Sequence, residues 1–128
     1  MQKPGAIKVD KIVLDCIDPA KLSDFYVKLL GWHKGYDTPD FVIIGSETGG
    51  IDIGFQKNLD YIPPVWPELE GKQQMMLHLD FYVPAGEHIE WVRYAIFSGA
   101  RKADTQYSED WTVMLDPEGH PFCLDSSG

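Results

Sequence analysis

Residues 11–31 read KIVLDCIDPAKLSDFYVKLLG, and this stretch predicts a β-strand followed directly by an α-helix. Apolar and polar positions alternate at its start, which is typical of a strand with one buried face. The positions predicted to be buried are Ile12, Leu14 and Cys16. Asp18 and Pro19 favour the N-cap and first turn of a helix. Apolar residues then recur at helical spacing up to Gly31, a residue that commonly ends a helix.

The rest of the first half predicts three short strands, and the second half repeats the whole order. Strands are expected near residues 32–36, 41–44 and 51–55, and residues 46–50 form a hairpin turn between the last two. Residues 77–124 again show an alternating strand, a helical stripe and further short strands. Each half therefore predicts a β-α-β-β-β unit.

The two halves are separated by a segment that cannot form regular structure. Residues 58–74 are rich in proline and polar residues, and three prolines in the run PPVWP at 63–67 remove backbone donors. We predict one α+β domain over residues 1–128, with module one at about 8–57, this linker, and module two at about 75–127. One helix covers one face of each sheet, so the other faces together form a curved, cup-like surface with the helices outside.

The composition limits the classes of partner. The chain has 128 residues with 20 acidic and 11 basic side chains, and its net charge of −9 argues against nucleic acid and anionic membranes as partners. No apolar run approaches the ~18 residues of a membrane span. The first residues lack the apolar stretch of a secretion signal, and two cysteines cannot make a disulfide framework. We therefore expect a cytoplasmic protein with reduced thiols.

Several motifs resemble those of one superfamily. They are DP at 18–19, FY at 25–26, LLGW at 29–32 and MLDPEG at 114–119. Their order and spacing resemble the vicinal oxygen chelate superfamily, which includes glyoxalase I, extradiol dioxygenases and bleomycin-resistance proteins. More narrowly, the chain is similar to glyoxalase-like domain proteins over about residues 9–125. The resemblance implies paired βαβββ modules and, often, a homodimer.

The resemblance also allows the superfamily's metal positions to be checked. In its metal-dependent members, four positions on the cupped face hold His or Glu ligands. By position these are Lys11, Gly54, His78 and Cys123. A lysine cation repels a metal and glycine offers no side-chain donor, while a His/Cys pair holds zinc only with further ligands. Asp52 and Gln56 share the strand face of Gly54 and carry further oxygen donors. We predict no cofactor and no catalytic metal, and keep a divalent ion as the alternative.

His78 is the candidate catalytic residue. Its ordinary pKa lies near neutrality, so it suits a general base or a hydrogen-bond anchor for a ligand. The alternative is a structural imidazole paired with Asp80 or Asp15. These two carboxylates are predicted to face the cup, where they would either share acid–base work or bond to the backbone, Lys11 or Arg93.

The predicted pocket is mostly apolar with a few polar anchors. Its expected ligand-binding residues are Asp15, Phe55, Gln56, Trp66, His78, Asp80, Tyr82, Trp111 and Cys123. Trp66 would form a lid or a subunit contact, and Trp91 a dimer contact. Cys123 is either a nucleophile paired with His78 or a small buried apolar residue. Solvated surface positions are expected for the other histidines, His33, His88 and His120.

Two main functions follow from these features. The first is binding of a small aromatic or amphipathic molecule in the cup without a catalytic metal, as the resemblance to bleomycin-resistance proteins implies. The second is a lyase, an isomerase or another enzyme of the superfamily that uses a divalent metal or acid–base chemistry at His78. A third function, interaction through a dimer or partner surface, needs no ligand.

Overall fold

A computed structural model of the chain describes residues 1–127. Its strands are β1 (Lys11–Cys16), β2 (His33–Asp37), β3 (Phe41–Gly45), β4 (Asp52–Lys57), β5 (Leu79–Tyr82), β6 (Arg101–Lys102), β7 (Trp111–Leu115) and β8 (Pro121–Asp125). Its helices are α1 (Pro19–Leu30) and α2 (His88–Ser98), the latter preceded by a short 3₁₀ turn at Ala85–Glu87. None of the helices in the described part of the chain is long and apolar enough to cross a membrane.

The strands form two four-stranded mixed sheets with the same topology. The first has the order β1-β4-β3-β2 and the second the order β5-β8-β7-β6. In each sheet the first and last strands of the module pair in parallel, and the other pairs are antiparallel. The sheets do not close into a barrel, so the predicted α+β fold of two βαβββ modules is confirmed.

The first helix begins and ends at the residues that its sequence signals indicate. The Asp18 side chain accepts a hydrogen bond from the Lys21 amide at 3.1 Å, and Pro19 occupies the first turn. Gly31 has φ +70°, a left-handed conformation that glycine adopts without a Cβ penalty, and its amide bonds to the Val27 carbonyl. These caps satisfy backbone groups that the helix ends leave open.

One hydrophobic core joins both modules. The Tyr26 ring on α1 stacks on Phe55 of β4 with centroids 5.5 Å apart, and it meets Phe122 of β8 edge-on at 6.1 Å. Phe81 of β5 completes the group at 6.5 Å from the Tyr26 ring. Because the four rings come from both halves of the chain, burial of this cluster favours docking of the two modules.

Beside this core, the β7–β8 hairpin holds the end of β1. Asp116 is buried and accepts hydrogen bonds from the Tyr26 hydroxyl at 2.8 Å and from the amides of Glu118 and His120. The Glu118 carboxylate accepts from the amides of Ile17 and Asp18, at the entry to α1. We call Asp116, Glu118 and His120 the hairpin clamp.

Two histidines correct the expectation of solvated surface positions. His120 is largely buried, with Nδ1 2.8 and 3.0 Å from the two oxygens of Asp116 and Nε2 2.7 Å from the Asp15 carbonyl. His88 at the start of α2 is half-buried and bonds to the hydroxyls of Ser126 and Thr112. Both residues lie in turn or cap positions by sequence, but contacts with distant strands decide their burial. His33 is exposed.

Candidate functional site

A cavity of about 350 Å³ lies between the two modules. Strand β1, the linker after β4, the start of β5 and the β7–β8 hairpin all contribute to its walls. Its apolar lining includes Val13, Tyr61, Ile62, Pro64, Met75 and Met76. Its polar lining includes Asp15, Asn58, Asp60, Gln73, His78 and His120. The cavity therefore combines apolar walls with hydrogen-bonding groups from both modules.

Asp15 and His120 connect the cavity to the hairpin clamp. The Asp15 carboxylate, on the cup face of β1, accepts a hydrogen bond from Asn58 Nδ2 at 3.0 Å, while its carbonyl accepts from His120 Nε2. The His120 ring stacks on Tyr61, with centroids 4.9 Å apart and planes at 21°. The Tyr61 hydroxyl donates to the Glu118 carbonyl at 2.9 Å. This wall is fixed by its own hydrogen bonds before any ligand binds.

The surroundings of His120 favour its charged form. Burial alone would lower its pKa, but the hydrogen bond and the charge of Asp116, together with the Asp15 carbonyl, raise the pKa above its ordinary value. Both ring nitrogens face atoms that only accept hydrogen bonds. Only an imidazolium donates from both nitrogens, so the geometry and the direction of the pKa shift agree.

His78, Asp80 and Cys123 form a second polar group beside the cavity. His78 lines the cavity, and its Nε2 lies 3.1 Å from an Asp80 carboxylate oxygen. Asp80 pairs in register with Cys123 on the neighbouring strand, and one carboxylate oxygen lies within 4.8 Å of the thiol sulfur. Burial, followed by the Asp80 charge, raises the pKa of Cys123 to about 12. A buried thiol with a raised pKa stays protonated, which is unfavourable for a nucleophile.

The remaining predicted site residues lie apart from the cavity. Trp66 packs on the cup face of the second sheet, against Ala103, Val113, Leu115 and Cys123. Its Nε1 donates to the Thr105 carbonyl at 3.0 Å. Tyr82 and Trp111 flank Asp125 in one row of cross-strand partners, and both are exposed. Trp66 therefore covers one module, while Tyr82 and Trp111 mark the outer end of the same sheet.

Two further residues of the first sheet lie outside the cavity for different reasons. Gln56 is exposed near the end of β4. Phe55 is fully buried on the opposite, helix-covered face of the sheet, because it alternates with Gly54 and therefore stacks on Tyr26.

Trp91, expected at a dimer contact, is half-buried and packs against the main core. Of the predicted ligand-binding residues, the cavity lining brings together Asp15 and His78, with Asp80 and Cys123 beside the latter.

Comparison with known proteins decides the family. The model of the glyoxalase-like domain family matches residues 11–124. The chain belongs to the glyoxalase-like domain family. The superfamily prediction is thereby confirmed. A search of curated protein sequences finds no match.

Solved structures share the fold of this glyoxalase-like protein at low sequence identity. A glyoxalase/bleomycin resistance protein/dioxygenase family enzyme from Burkholderia phytofirmans is 23% identical, with a TM-score of 0.68 over 91% of this chain and 95% of that chain. A glyoxalase-related enzyme from Fulvimarina pelagi is 15% identical, with a TM-score of 0.68 over 92% and 86%. A fosfomycin resistance protein from Listeria monocytogenes is 13% identical, with a TM-score of 0.72 over 97% and 94%. These likenesses concern the fold.

The four positions that correspond to the superfamily's metal ligands do not fit a hard divalent ion in this glyoxalase-like protein. A Cβ added to the buried Gly54 would lie 3.0 Å from Phe41 Cζ and 3.3 Å from Val13 Cγ2, so apolar side chains fill the place of a carboxylate ligand. Lys11 brings an ammonium group, which pairs with Asp10. The first module thus contributes no anionic donor from its two positions, whereas hard ions need several oxygen ligands.

Residues of the linker, which were not predicted as site residues, close the cavity. Tyr61, Met75 and Met76 lie in or beside a segment interpreted as a simple connection. A signal was present, because the run of two methionines and a leucine at 75–77 places large apolar side chains in a chain segment without a helix or strand. Exposed apolar side chains of this kind often border binding sites.

Proposed function

We propose that this glyoxalase-like protein binds a small aromatic or amphipathic molecule in the cavity between its modules. The observation that carries this proposal is the cavity itself, whose volume of about 350 Å³ suits a small molecule. Apolar side chains line it beside polar ones such as Asp15 and His120, which is the usual make-up of a small-molecule site. The Tyr61–His120 stack and the Asn58–Asp15 hydrogen bond support a wall formed in advance of binding.

This binding does not rely on the superfamily's four-ligand metal centre. Lys11 and the apolar cover over Gly54 remove the first module's share of that centre. Sequestration of a molecule in the cup needs no chemistry, and a resistance protein is among the proteins that share the fold. Recognition therefore depends on the shape of the cavity and on its hydrogen-bonding groups.

Methyl NMR tests the proposal directly. The chain has four methionines, of which Met75 and Met76 line the cavity, Met114 is buried in the core and Met1 is exposed. Chelator-treated protein with ¹³C-labelled methionine methyls is titrated with one- and two-ring aromatic amines, acids and alcohols. We expect at least one compound to shift the Met75 and Met76 signals saturably while those of Met114 and Met1 stay in place.

A matched pair of variants completes this test. Val13 lines the cavity, so Val13→Trp should fill part of it and abolish the saturable shifts. Val9 is exposed and lies outside the lining, so Val9→Trp should bind as the original chain does. The proposal fails if no compound shifts Met75 and Met76, or if the shifts persist unchanged in Val13→Trp.

A second candidate function is acid–base catalysis at His78. The observation in its favour is the 3.1 Å contact between His78 Nε2 and Asp80, since a carboxylate orients an imidazole in many general bases. Any compound that binds is followed by NMR for conversion to product. Conversion that disappears in His78→Gln while binding remains would support catalysis, and the absence of conversion leaves binding as the function.

The assembly and cellular location belong to the same proposal. The superfamily resemblance favours a homodimer, which sedimentation of the purified chain at several concentrations would detect. A cytoplasmic location fits the two cysteines, which do not pair with each other. The net charge of −9 favours a small molecule over nucleic acid as the partner.

A further inference from the structure

Three different metal-binding side chains converge at one edge of the second module. His78 directly precedes β5, Asp80 lies two residues further along on the same face, and Cys123 is the register partner of Asp80 on β8. One donor atom from each residue lies within 4.8 Å of the other two. We call these residues the β5–β8 cluster. All three come from one module, so their proximity needs no contribution from the first sheet.

The chemistry of the β5–β8 cluster favours one kind of ion. An imidazole nitrogen, a carboxylate oxygen and a thiolate sulfur are the ligand types that Zn²⁺ accepts, whereas Mg²⁺ and Ca²⁺ require oxygen ligands. Bonds of about 2.0–2.3 Å to zinc place neighbouring ligands roughly 3.5 Å apart. The separations of up to 4.8 Å therefore need only a small contraction, and the side chains of His78 and Asp80 are exposed enough to make it.

One other interpretation of the cluster fits the geometry less well. A Cys–His nucleophile pair requires a thiol that the imidazole can deprotonate, but the His78 imidazole already contacts the Asp80 carboxylate at 3.1 Å and the Cys123 thiol is buried. Without an ion the cluster holds a protonated thiol, whose proton a divalent cation would displace. A divalent cation among the three residues would compensate both negative charges.

We propose that the β5–β8 cluster binds one Zn²⁺ ion through His78, Asp80 and Cys123. Three protein ligands leave the fourth tetrahedral position to water or to another small donor, as in zinc sites of the open type. This site goes beyond the proposed function, because ion binding at the cluster and ligand binding in the cavity are measured separately. It also differs from the superfamily's four-ligand centre, since Asp80 replaces both ligands of the first module.

Cobalt titration of the full, chelator-treated chain tests the site, with Co²⁺ alone as the probe. We expect one Co²⁺ per chain, with the absorption bands of a tetrahedral complex and a thiolate-to-cobalt charge-transfer band, and displacement by one equivalent of Zn²⁺. The exposed side chains allow His78→Ala and Asp80→Asn without disturbing the core, and each should weaken Co²⁺ binding by about tenfold or more.

Matched variants assign the sulfur ligand. Cys123→Ser should lose the charge-transfer band, while Cys16→Ser, which changes the other free cysteine on the helix-covered face, should retain it. His33→Ala controls for an exposed histidine. Circular dichroism verifies the fold of each variant, and the Asp80→Asn result stands even if Cys123→Ser does not fold. The site is ruled out if wild-type protein shows no charge-transfer band or if Asp80→Asn binds Co²⁺ as tightly as wild type. Failure of the zinc site and failure of the proposed function are distinguished by the compound titration of ion-free protein. If compounds still bind there, only the zinc site is ruled out.

Discussion

The Tyr26 hydroxyl donates a hydrogen bond to the buried carboxylate of Asp116 at 2.8 Å, across 90 residues of sequence. Tyr26 belongs to the helix of the first module and Asp116 to the hairpin of the second. The same carboxylate accepts from two backbone amides and from the His120 ring, so its charge is compensated although water does not reach it. This bond couples the positions of the two modules, and hence the width of the cavity between them.

Removal of the Tyr26 hydroxyl should weaken the whole domain. Tyr26→Phe keeps the ring and its stacking but leaves an Asp116 oxygen without one donor, so we expect a loss of about 1–3 kcal/mol in the free energy of unfolding. Urea denaturation measures this loss. Tyr94→Phe is the matched control, because its hydroxyl donates to the Lys28 carbonyl at an exposed site. Equal stability losses in the two variants would contradict the assigned role of Asp116.

Glu118 should contribute to stability through the entry to α1. Its carboxylate accepts from the amides of Ile17 and Asp18, and a negative charge at a helix N-terminus is favourable. Glu118→Ala should lower the free energy of unfolding by about 1 kcal/mol, since water reaches these amides and replaces part of the interaction. Glu47→Ala, in the exposed turn of the first module, should change it by less than about 0.5 kcal/mol. An unchanged free energy of unfolding in Glu118→Ala would mean that the Glu118 carboxylate does not stabilise the entry to α1.

The sequence predicted local structure well because local signals decide it. The alternation along β1 placed Leu14 and Cys16 in the core, and Asp18 and Gly31 marked the ends of α1 to the residue. Asp116 carried no comparable signal, because a DPEG turn looks the same whether its carboxylate faces water or a distant tyrosine. Its burial depends on the docking of the modules, which periodicity does not reveal.

The candidate site was harder to predict than the fold for a related reason. Asp15 and His78 were found because strand alternation directs them toward the cup. Tyr61 and Met76 were missed because they lie in segments without a period, where the path of the chain decides what each side chain contacts. Phe55 shows the opposite case, since its alternation with Gly54 already points it toward the helix-covered core.

Stability should depend on the protonation of His120. The raised pKa of this folded-state imidazole means that its contribution is fully present below the unfolded pKa of about 6.5 and is lost as pH rises through the folded value. The groups that face the ring are the Asp116 carboxylate, the Asp15 carbonyl and the Tyr61 ring, with Glu118 nearby. We therefore expect the urea midpoint of wild type to fall as the pH rises from about 6.5 through the folded pKa of His120. The midpoint of His120→Gln, whose side chain cannot titrate, should fall less over the same pH range.

NMR titration of the ring checks the same point independently. The His120 signals should titrate above the ordinary histidine value, with a short histidine peptide in the same buffer as the reference. A His120 midpoint at or below that of the reference peptide would contradict the imidazolium assignment.

Introduction of a superfamily-type carboxylate at Gly54 should cost stability because the space is filled. Gly54→Glu forces its Cβ against Phe41 Cζ and Val13 Cγ2, and overpacking of this kind costs about 1–3 kcal/mol. Phe41→Ala opens the space, so the cost of Gly54→Glu should fall in that background. A double-mutant cycle from urea denaturation measures the coupling. Additive effects of the two substitutions would show that Phe41 does not occupy the position of the missing ligand.

Trp66 should protect the Cys123 side of the second sheet from solvent. It packs on the cluster that contains Cys123, and the bond from Nε1 to the Thr105 carbonyl holds the ring in place. Trp66→Ala should lower the free energy of unfolding by roughly 2 kcal/mol, less than for a fully buried tryptophan, and should speed alkylation of Cys123 several-fold. Trp66→Phe keeps part of the ring packing, so its free energy of unfolding and its rate of Cys123 alkylation should lie between those of wild type and Trp66→Ala. Peptide mass spectrometry quantifies each thiol separately, and Cys16 on the helix-covered face serves as the internal control. Acceleration at both cysteines would indicate global unfolding instead of a local cover, and no acceleration at Cys123 would show that Trp66 does not shield it.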